Sequence, residues 1–352
     1  MGAGESGESN VQSLARVSID DPRWLAFLES QRSATAFHHP AWGRLVERCY
    51  GFRPFVLAAT DGGGTIEAGL PLAEVSTRLQ GRRWVSMPFV DYCPPLVPAS
   101  AAPGLSRGLD AARLDAGISS VDVRAPLEGP ALQGGAQWVR HVLELGDDPA
   151  AQFDGFHRMT RRNVRHAERS GLTIRQGDGE SALTEDFYRL HVETRRRLGV
   201  PVQPRRFFRL LWEELIAKGL GFVSFAYSGS KPVAGAVFLT WNGNMIYKFG
   251  ASDADAWHAR PNNLIFWHAI QKGIETHATS LDFGRSEVDQ EGLRSFKAGW
   301  GAREEELVYA HLPERGAHRT IGHASSALAP AIRRSPAWFA RLVGELFYRY
   351  AA

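Results

Sequence analysis

Lysine is the scarcest of the common charged residues here, with five lysines against thirty-six arginines. Cysteine is scarcer still. Cys49 and Cys93 are too few for a disulfide framework, which points to a reduced, cytosolic setting. No stretch reaches the roughly 18 uninterrupted apolar residues of a spanning helix. The opening MGAGESGESN has neither the basic start nor the apolar run of a secretory signal. Gly2 and Ser6 fit the short myristoylation pattern, and a flexible Gly/Ser/Glu tail fits the same residues. No glycine-rich phosphate loop of the P-loop or dinucleotide type occurs. His258, His268 and His277, ten and nine apart, lack metal-ligand spacing, so no metal is expected. A net charge of +3 is too small to argue a polyanionic partner from totals.

What is present is a composition able to build a core, 44% hydrophobic and 22% charged, over a length that favours about two domains. The chain also echoes itself. FVLAATDGGGTIEAGLPLAEV from Phe55 is answered by FVSFAYSGSKPVAGAVFLTW from Phe222. Each reads as a strand, a turn of small residues and a second strand, with Asp61-Gly62 and Ser228-Gly229 as turn chemistry. SSVDVR from Ser119 is answered by TSLDFGR from Thr279, and each follows a helical stretch. Pro261 opens the second of these helices, where its missing N–H costs nothing. The expectation is an α/β (α+β) chain of two similar modules, 1–147 and 148–312, with a C-terminal basic amphipathic helix region at 313–352.

DPAAQFDGFHRMTRRNVRHAERSG reads as one helix closing at Gly171. Its Arg158, Arg161, Arg162, Arg165 and Arg169 follow a helical spacing along one broad stripe. SALTEDFYRLHVETRRRLG and PRRFFRLLWEELIAKG should be helices as well. In the tail, Arg333, Arg334, Arg341 and Arg349 flank Trp338, Phe339 and Phe347, a pattern that suits a membrane surface or packing on the chain's own domain.

The stretches MTRRNVRHAERSGLTI, KFGASD, RPNNLIFWHAI, LDFGRS and GLRSFKAGWGA resemble, in that order, the motifs of the FemAB-like aminoacyl/acyl transferases. The upstream FHHPAWG and MPFVDYCPPL fit the same family, and the likeness covers about residues 37 to 312. It implies two tandem GNAT-like modules, each a mostly antiparallel mixed sheet flanked by helices. It also implies transfer of an aminoacyl group from aminoacyl-tRNA to an amine of a peptidoglycan precursor. Other relatives are N-acyltransferases of exopolysaccharide or natural-product pathways.

Acyl transfer to an amine needs a polarised carbonyl, a deprotonated nucleophile and a held leaving group. In a GNAT-like module the strand YKFGASD should splay from SLDFG and open a V-shaped slot. Backbone N–H groups of Gly250 and Ala251 would then donate to the developing oxyanion. A glycine at 250 permits close approach, though a strand bend explains it as well. The resemblance places Lys297 beside the aminoacyl ester, to neutralise charge on the carbonyl or the leaving ribose oxygen. Its structural alternative is a helix-end lysine favoured by the dipole, worth about 0.3–1 kcal/mol. Asp91 is a candidate general base or orienter of the acceptor amine, with a turn before Pro-Pro as its plainer reading. By the resemblance, Phe296 stacks on a donor ring and Arg162 and Arg165 grip phosphate. Arg285 and Ser286 lie at a strand end beside the slot. Tyr247, Trp300 and Asn262 complete the candidate substrate contacts. Asp282 repeats Asp122 and reads as structural in both.

The short pyrophosphate-binding turn of ordinary GNAT enzymes is absent, and HARPNNLIF stands in its place. The expected donor is therefore aminoacyl-tRNA, with no cofactor, and acyl-CoA is the alternative. The acceptor is an amine-bearing small molecule or lipid-linked precursor held between the modules. The expected location is cytoplasmic, with peripheral contact at the inner membrane face as an extension. A non-catalytic RNA- or nucleotide-sugar-binding protein is the rival from another class.

Overall fold

The two echoing segments fold as antiparallel hairpins in two separate sheets. The computed structural model describes residues 14–77, 81–98, 102–127, 132–133, 138–312, 329–330 and 332–351. Gly2 and Ser6 and the tail from 313 to 328 lie outside them. In the first hairpin β2 (Arg53–Thr60) pairs β3 (Ile66–Thr77), setting Ala58 against Gly69. In the second β9 (Gly221–Ser228) pairs β10 (Lys231–Trp241), setting Phe225 against Gly235. Each sheet then adds an antiparallel and a parallel strand. β4 (Gly81–Val85) runs parallel to β5 (Val121–Val123), and β11 (Asn244–Ser252) runs parallel to β12 (Ser280–Glu287). The repeat legible in the sequence is thus a repeat of topology, and both sheets are mixed and mostly antiparallel as expected.

The outer strands cross over. The first sheet runs β1-β2-β3-β4-β5-β14-β6, with β1 (Ala15–Ser18), β6 (Leu132–Gln133) and β14 (Ala310–Leu312). The second runs β13-β7-β12-β11-β10-β9-β8, with β7 (Trp138–Glu144), β8 (Leu172–Gln176) and β13 (Arg303–Leu307). So β7, numbered with the first module, is an inner strand of the second sheet, and β14 returns to the first. A division at 147/148 cuts across both. Nothing in the alternation of β7, with Val139, His141 and Leu143 buried, says which sheet it should join.

Helices cover the sheets: α1 (Pro22–Ser30), α2 (Pro40–Tyr50), α3 (Ala102–Asp115), α4 (Pro149–Asp154), α5 (Arg158–Arg169), α6 (Tyr188–Leu198), α7 (Arg205–Glu214), α8 (Pro261–Glu275), α9 (Glu291–Ala298) and α10 (Ala337–Phe347). The expected single helix before Gly171 is two. α4 ends at Gly155, and His157 restarts the chain as the α5 cap, its Nδ1 accepting from Met159 N at 3.3 Å. His157 N also donates to Gly299 O at 2.9 Å, so the break docks α5 beside the end of α9. Gly171 does take a left-handed φ of 72°. Among the described residues, no helix is long and apolar enough to cross a membrane.

The modules share a core. One buried cluster runs from Trp24, Trp42 and Val85 to Phe207, Phe208 and Leu239, with Trp42 edge-on to Phe207 at 6.2 Å. Polar contacts close the seam: Asn244 Nδ2 donates to Arg32 O at 2.8 Å and Asn242 Nδ2 to Leu28 O at 2.7 Å. Glu214 at the end of α7 takes Arg44 and Arg48 from α2 and Lys218 from its own segment.

Burial pushes the Glu214 carboxyl up, but Lys218, Arg48 and Arg44 outweigh it and bring it to about 2, from an ordinary 4.5. A carboxyl lowered by folding stabilises fully above its unfolded value and loses that stabilisation as pH falls towards its folded value. Glu214→Gln should therefore lower stability by roughly 1–3 kcal/mol at neutral pH. Thermal melts of variant and parent should converge as pH falls from 4.5 towards about 2. A gap independent of pH would show that the ion cluster contributes nothing.

Candidate active site where two strands part

β11 and β12 pair only through Asn244–Ser280, Met245–Leu281 and Ile246–Asp282, and then separate. This is the expected V-shaped slot. Two irregularities shape its mouth. The β10–β11 register shifts at Val237/Phe238, which leaves Lys248 as the extra residue of a bulge, a device that re-aims a side chain. The β12–β7 register shifts between Asp282 and Arg285, where Gly284 has a φ of 70°. Met245 and Ile246 are buried, whereas Tyr247, Lys248, Phe249 and Gly250 beyond the split are only half-buried.

Backbone parity along β11 settles which amides face the slot. Asp253 N donates to Val233 O on the β10 side, while Ser252 N donates to Thr194 Oγ1 on the other. Alternation then turns the Ala251 N–H to β10 and the Gly250 N–H to the unpaired edge. Of the two expected oxyanion donors, only Gly250 has its N–H on the unpaired edge. The close approach at Gly250 comes from the chain itself: a Cβ there would lie 1.8 Å from the Tyr247 hydroxyl.

Lys297 lies in the last turn of α9, as the dipole explanation requires, but its amine turns inward. Its side chain belongs to a residue only 3% exposed, and Nζ donates to Gly284 O at 2.7 Å and Arg285 O at 3.0 Å. Burial pushes this amine down to about 8 against the pull of Asp91 and Asp282. Lys248, absent from the expected site, is its counterpart. Its Nζ donates to Phe89 O and lies 5.1 Å from the Phe37 ring, 5.3 Å from Trp42 and 5.2 Å from Phe249. Burial pushes it down to about 8, with Asp91 opposing and Arg285 and Arg195 assisting. The rarity of lysine, five in the whole chain, was a signal that could have found it.

Asp91 comes from the first module and faces these cations. Its turn is built on left-handed residues, Met87 at 53° and Phe89 at 63°. Arg285 Nε is 3.4 Å from Asp91 Oδ1, and Tyr309 Oη donates to Asp91 O at 2.7 Å. A Cβ at Gly284 would come within 3.0 Å of Asp91 Oδ2, so the bare glycine admits the carboxylate. Burial raises Asp91, but Lys248 and Arg285 outweigh it and leave the carboxyl below its ordinary value. Asp282 differs: burial wins and raises it, with Arg140 3.5 Å away. Its repeat partner Asp122 is held low instead, by His311 and Arg83, after burial is overcome. The two aspartates are equivalent in topology and not in environment.

Other expected contacts fall elsewhere. Trp300 is fully buried against Phe156 and Phe266, which removes it as a substrate contact. Phe296 packs edge-on to Phe266 at 5.6 Å, so its ring serves the core rather than standing free for a donor. Tyr247 rests on Phe266 at 4.8 Å and covers Gly250. Ser286 is buried with its Oγ unpartnered, and Arg285 is exposed with its guanidinium 5.1 Å from the Trp138 ring. Asn262 is half-buried in the first turn of α8. Arg162 and Arg165 are exposed on α5, whose buried residues are Thr160, Val164 and Ala167. No hydrogen bond or ion pair among the described residues joins them to the cluster. Burial pushes the Cys93 thiol well up, which makes it a poor nucleophile. A cleft of about 450 Å³ opens instead near the end of β7, beside Glu144, Asp148, Trp300 and Arg303, and contains none of the cluster. No group of three or more His, Cys, Asp or Glu among the described residues is placed to hold a metal ion.

With five lysines in the chain, titration of 13Cε-lysine resonances reads the site directly. Two resonances should have midpoints near 8, one lost in Lys248→Arg and the other in Lys297→Arg. Midpoints near 10.5 for both would contradict their burial.

Residues 154–304 match a family model described as an acetyltransferase (GNAT) domain. The fold resembles the crystal structure of FemX, at a TM-score of 0.69 and 15% identity over 84% of this chain and 96% of that one. It resembles L-PGS from Bacillus licheniformis at 0.57 and 15%, over 91% and 99%. A tandem GNAT protein from the clavulanic acid biosynthesis pathway matches at 0.51 and 12%, over 86% and 100%. No curated protein sequence matches the chain. Residues 154–304 are thus similar to a GNAT domain, within a two-sheet chain that has the fold of FemX and of the tandem GNAT protein.

Proposed function

We propose that this chain forms an amide bond, moving an aminoacyl group from aminoacyl-tRNA to an amine of a cell-wall, polysaccharide or natural-product precursor. The observation that carries this reading is the slot itself. An unpaired-edge amide at Gly250 lies where β11 leaves β12, and two amines lowered to about 8, Lys248 and Lys297, both feel the Asp91 carboxylate. The Gly250 N–H donates to the ester carbonyl oxygen as it gains charge. The acceptor nitrogen attacks that carbon, the new C–N bond forms, and the C–O bond to the ribose breaks. Lys248, in its neutral form, takes the proton that the nitrogen releases. Lys297, with two of its three ammonium hydrogens on backbone carbonyls, gives a proton to the leaving oxygen. Asp91 is too acidic to serve well as a base and instead orients the incoming neutral amine by accepting one of its N–H hydrogens. Support for an aminoacyl donor comes from the folds of FemX and L-PGS and from the missing pyrophosphate turn.

The second reading, an acyl-CoA-dependent N-acyltransferase, is favoured by the acetyltransferase family match over residues 154–304. Charged tRNAs assayed beside a CoA-release reaction separate the two. Transfer from tRNA should fall by about 10²–10³ in Lys297→Met. The kcat/KM profile should be bell-shaped, rising as Lys248 loses its proton and falling as Lys297 loses its own, with both limbs near pH 8. Lys248→Arg should remove the rising limb. CoA release with no transfer from tRNA overturns the aminoacyl reading. Binding of RNA or a nucleotide sugar, with no turnover and no effect of Lys297→Met, makes the chain a binding protein.

A further inference from the structure

Exposed apolar side chains are not spread evenly over the surface. Of the eight large hydrophobic residues exposed among the described ones, four share a region: Leu198 (54%), Trp257 (46%), Trp338 (64%) and Leu342 (48%). The contacts that join them are explicit. Leu198 ends α6, and its carbonyl accepts from Arg333 Nη2 at 3.3 Å. The preceding Arg197 holds its guanidinium 4.6 Å from the Trp257 ring. α10 packs along α6 and places Arg341 5.5 Å from the Tyr188 ring. Ala340 and Val343 form the buried side of α10, which leaves Trp338 and Leu342, four residues apart, together on its outward face.

The charge around α10 and the end of α6 is mostly basic, while Glu193 and Asp253 lie near Arg197 and Asp255 is two residues from Trp257. The last turn of α6 carries Arg195, Arg196 and Arg197. Residues 333–345 add Arg333, Arg334 and Arg341 against a single acid, Glu345. Arg333, Arg334 and Arg341 are exposed. Indole and leucine on one helical face, with arginines at its margins, match the boundary between acyl chains and anionic headgroups. We propose that the α6 end, the turn at Trp257 and α10 together form a docking face for an anionic lipid bilayer, with Trp338 and Leu342 inserted and α10 in the headgroup plane. The inserted side chains, Trp338 and Leu342, are not among the residues of the slot, and the test does not depend on transfer.

The full chain should co-sediment with vesicles of phosphatidylcholine and phosphatidylglycerol, and not with phosphatidylcholine alone. Added salt should weaken the binding. Trp338→Ala/Leu342→Ala should lower partitioning by about tenfold or more. Arg333→Ala/Arg334→Ala should remove most of the salt dependence. Leu114→Ala/Met159→Ala, exposed elsewhere, should bind like the parent, and unchanged thermal melts should show that each variant is folded. Equal binding to neutral vesicles overturns the proposal, as does equal sedimentation of parent and Trp338→Ala/Leu342→Ala. Trp338-dependent self-association in light scattering, without vesicle binding, assigns the face to a second copy and overturns it too.

Discussion

A carboxylate supplied by one half of the molecule balances three cations supplied by the other. Asp91 reaches across the seam to Lys248, Arg285 and Lys297, none of which has another carboxylate as close to it as a normal ion pair among the contacts described. Removing an ammonium from water costs several kcal/mol after relaxation, and only good partners offset that cost. Here the offset is incomplete. Both lysines keep backbone carbonyls as acceptors and still fall to about 8. A group left poised between charged and neutral forms is able to move protons near neutrality, and the proposed transfer relies on that.

The supports of this balance are unusual backbone positions. Gly284, at a φ of 70°, gives Asp91 the space a side chain would fill, and left-handed Phe89 turns its carbonyl to Lys248. The bulge in β11 brings Lys248 among Phe37, Trp42 and Phe249, so one ammonium ties the second sheet to the first module's aromatic core. Strain of this kind persists only where surrounding packing holds it, and the shared core around Trp42 and Phe207 supplies that packing.

The sequence carried the parts of this arrangement that are local. Hairpin turns, alternation and the Val-Asp and Leu-Asp echoes sufficed for two similar sheets, and the parting of the strand pair was implied by the resemblance to GNAT-like modules. Long-range choices left no such trace. The strand WVRHVLE alternates equally well for either sheet, so its exchange was hidden. Trp300 and Phe296 look alike in sequence whether they face a ligand or Phe266, and only packing decides. Gly250 was singled out for a close approach that does occur, though the approaching group is Tyr247. Ala251 failed because amide direction along a strand depends on register, which no single segment reveals.

The exchange of β7 and β14 has an effect on the order in which the molecule can be assembled. A nascent chain tends to fold from its beginning as it leaves the ribosome. Here the first sheet waits for Ala310–Leu312 to seat β6 against β5, by which time the whole second sheet has emerged. The second sheet in turn holds a strand synthesised before its own helices. Neither sheet is completed by strands from its own half of the chain alone.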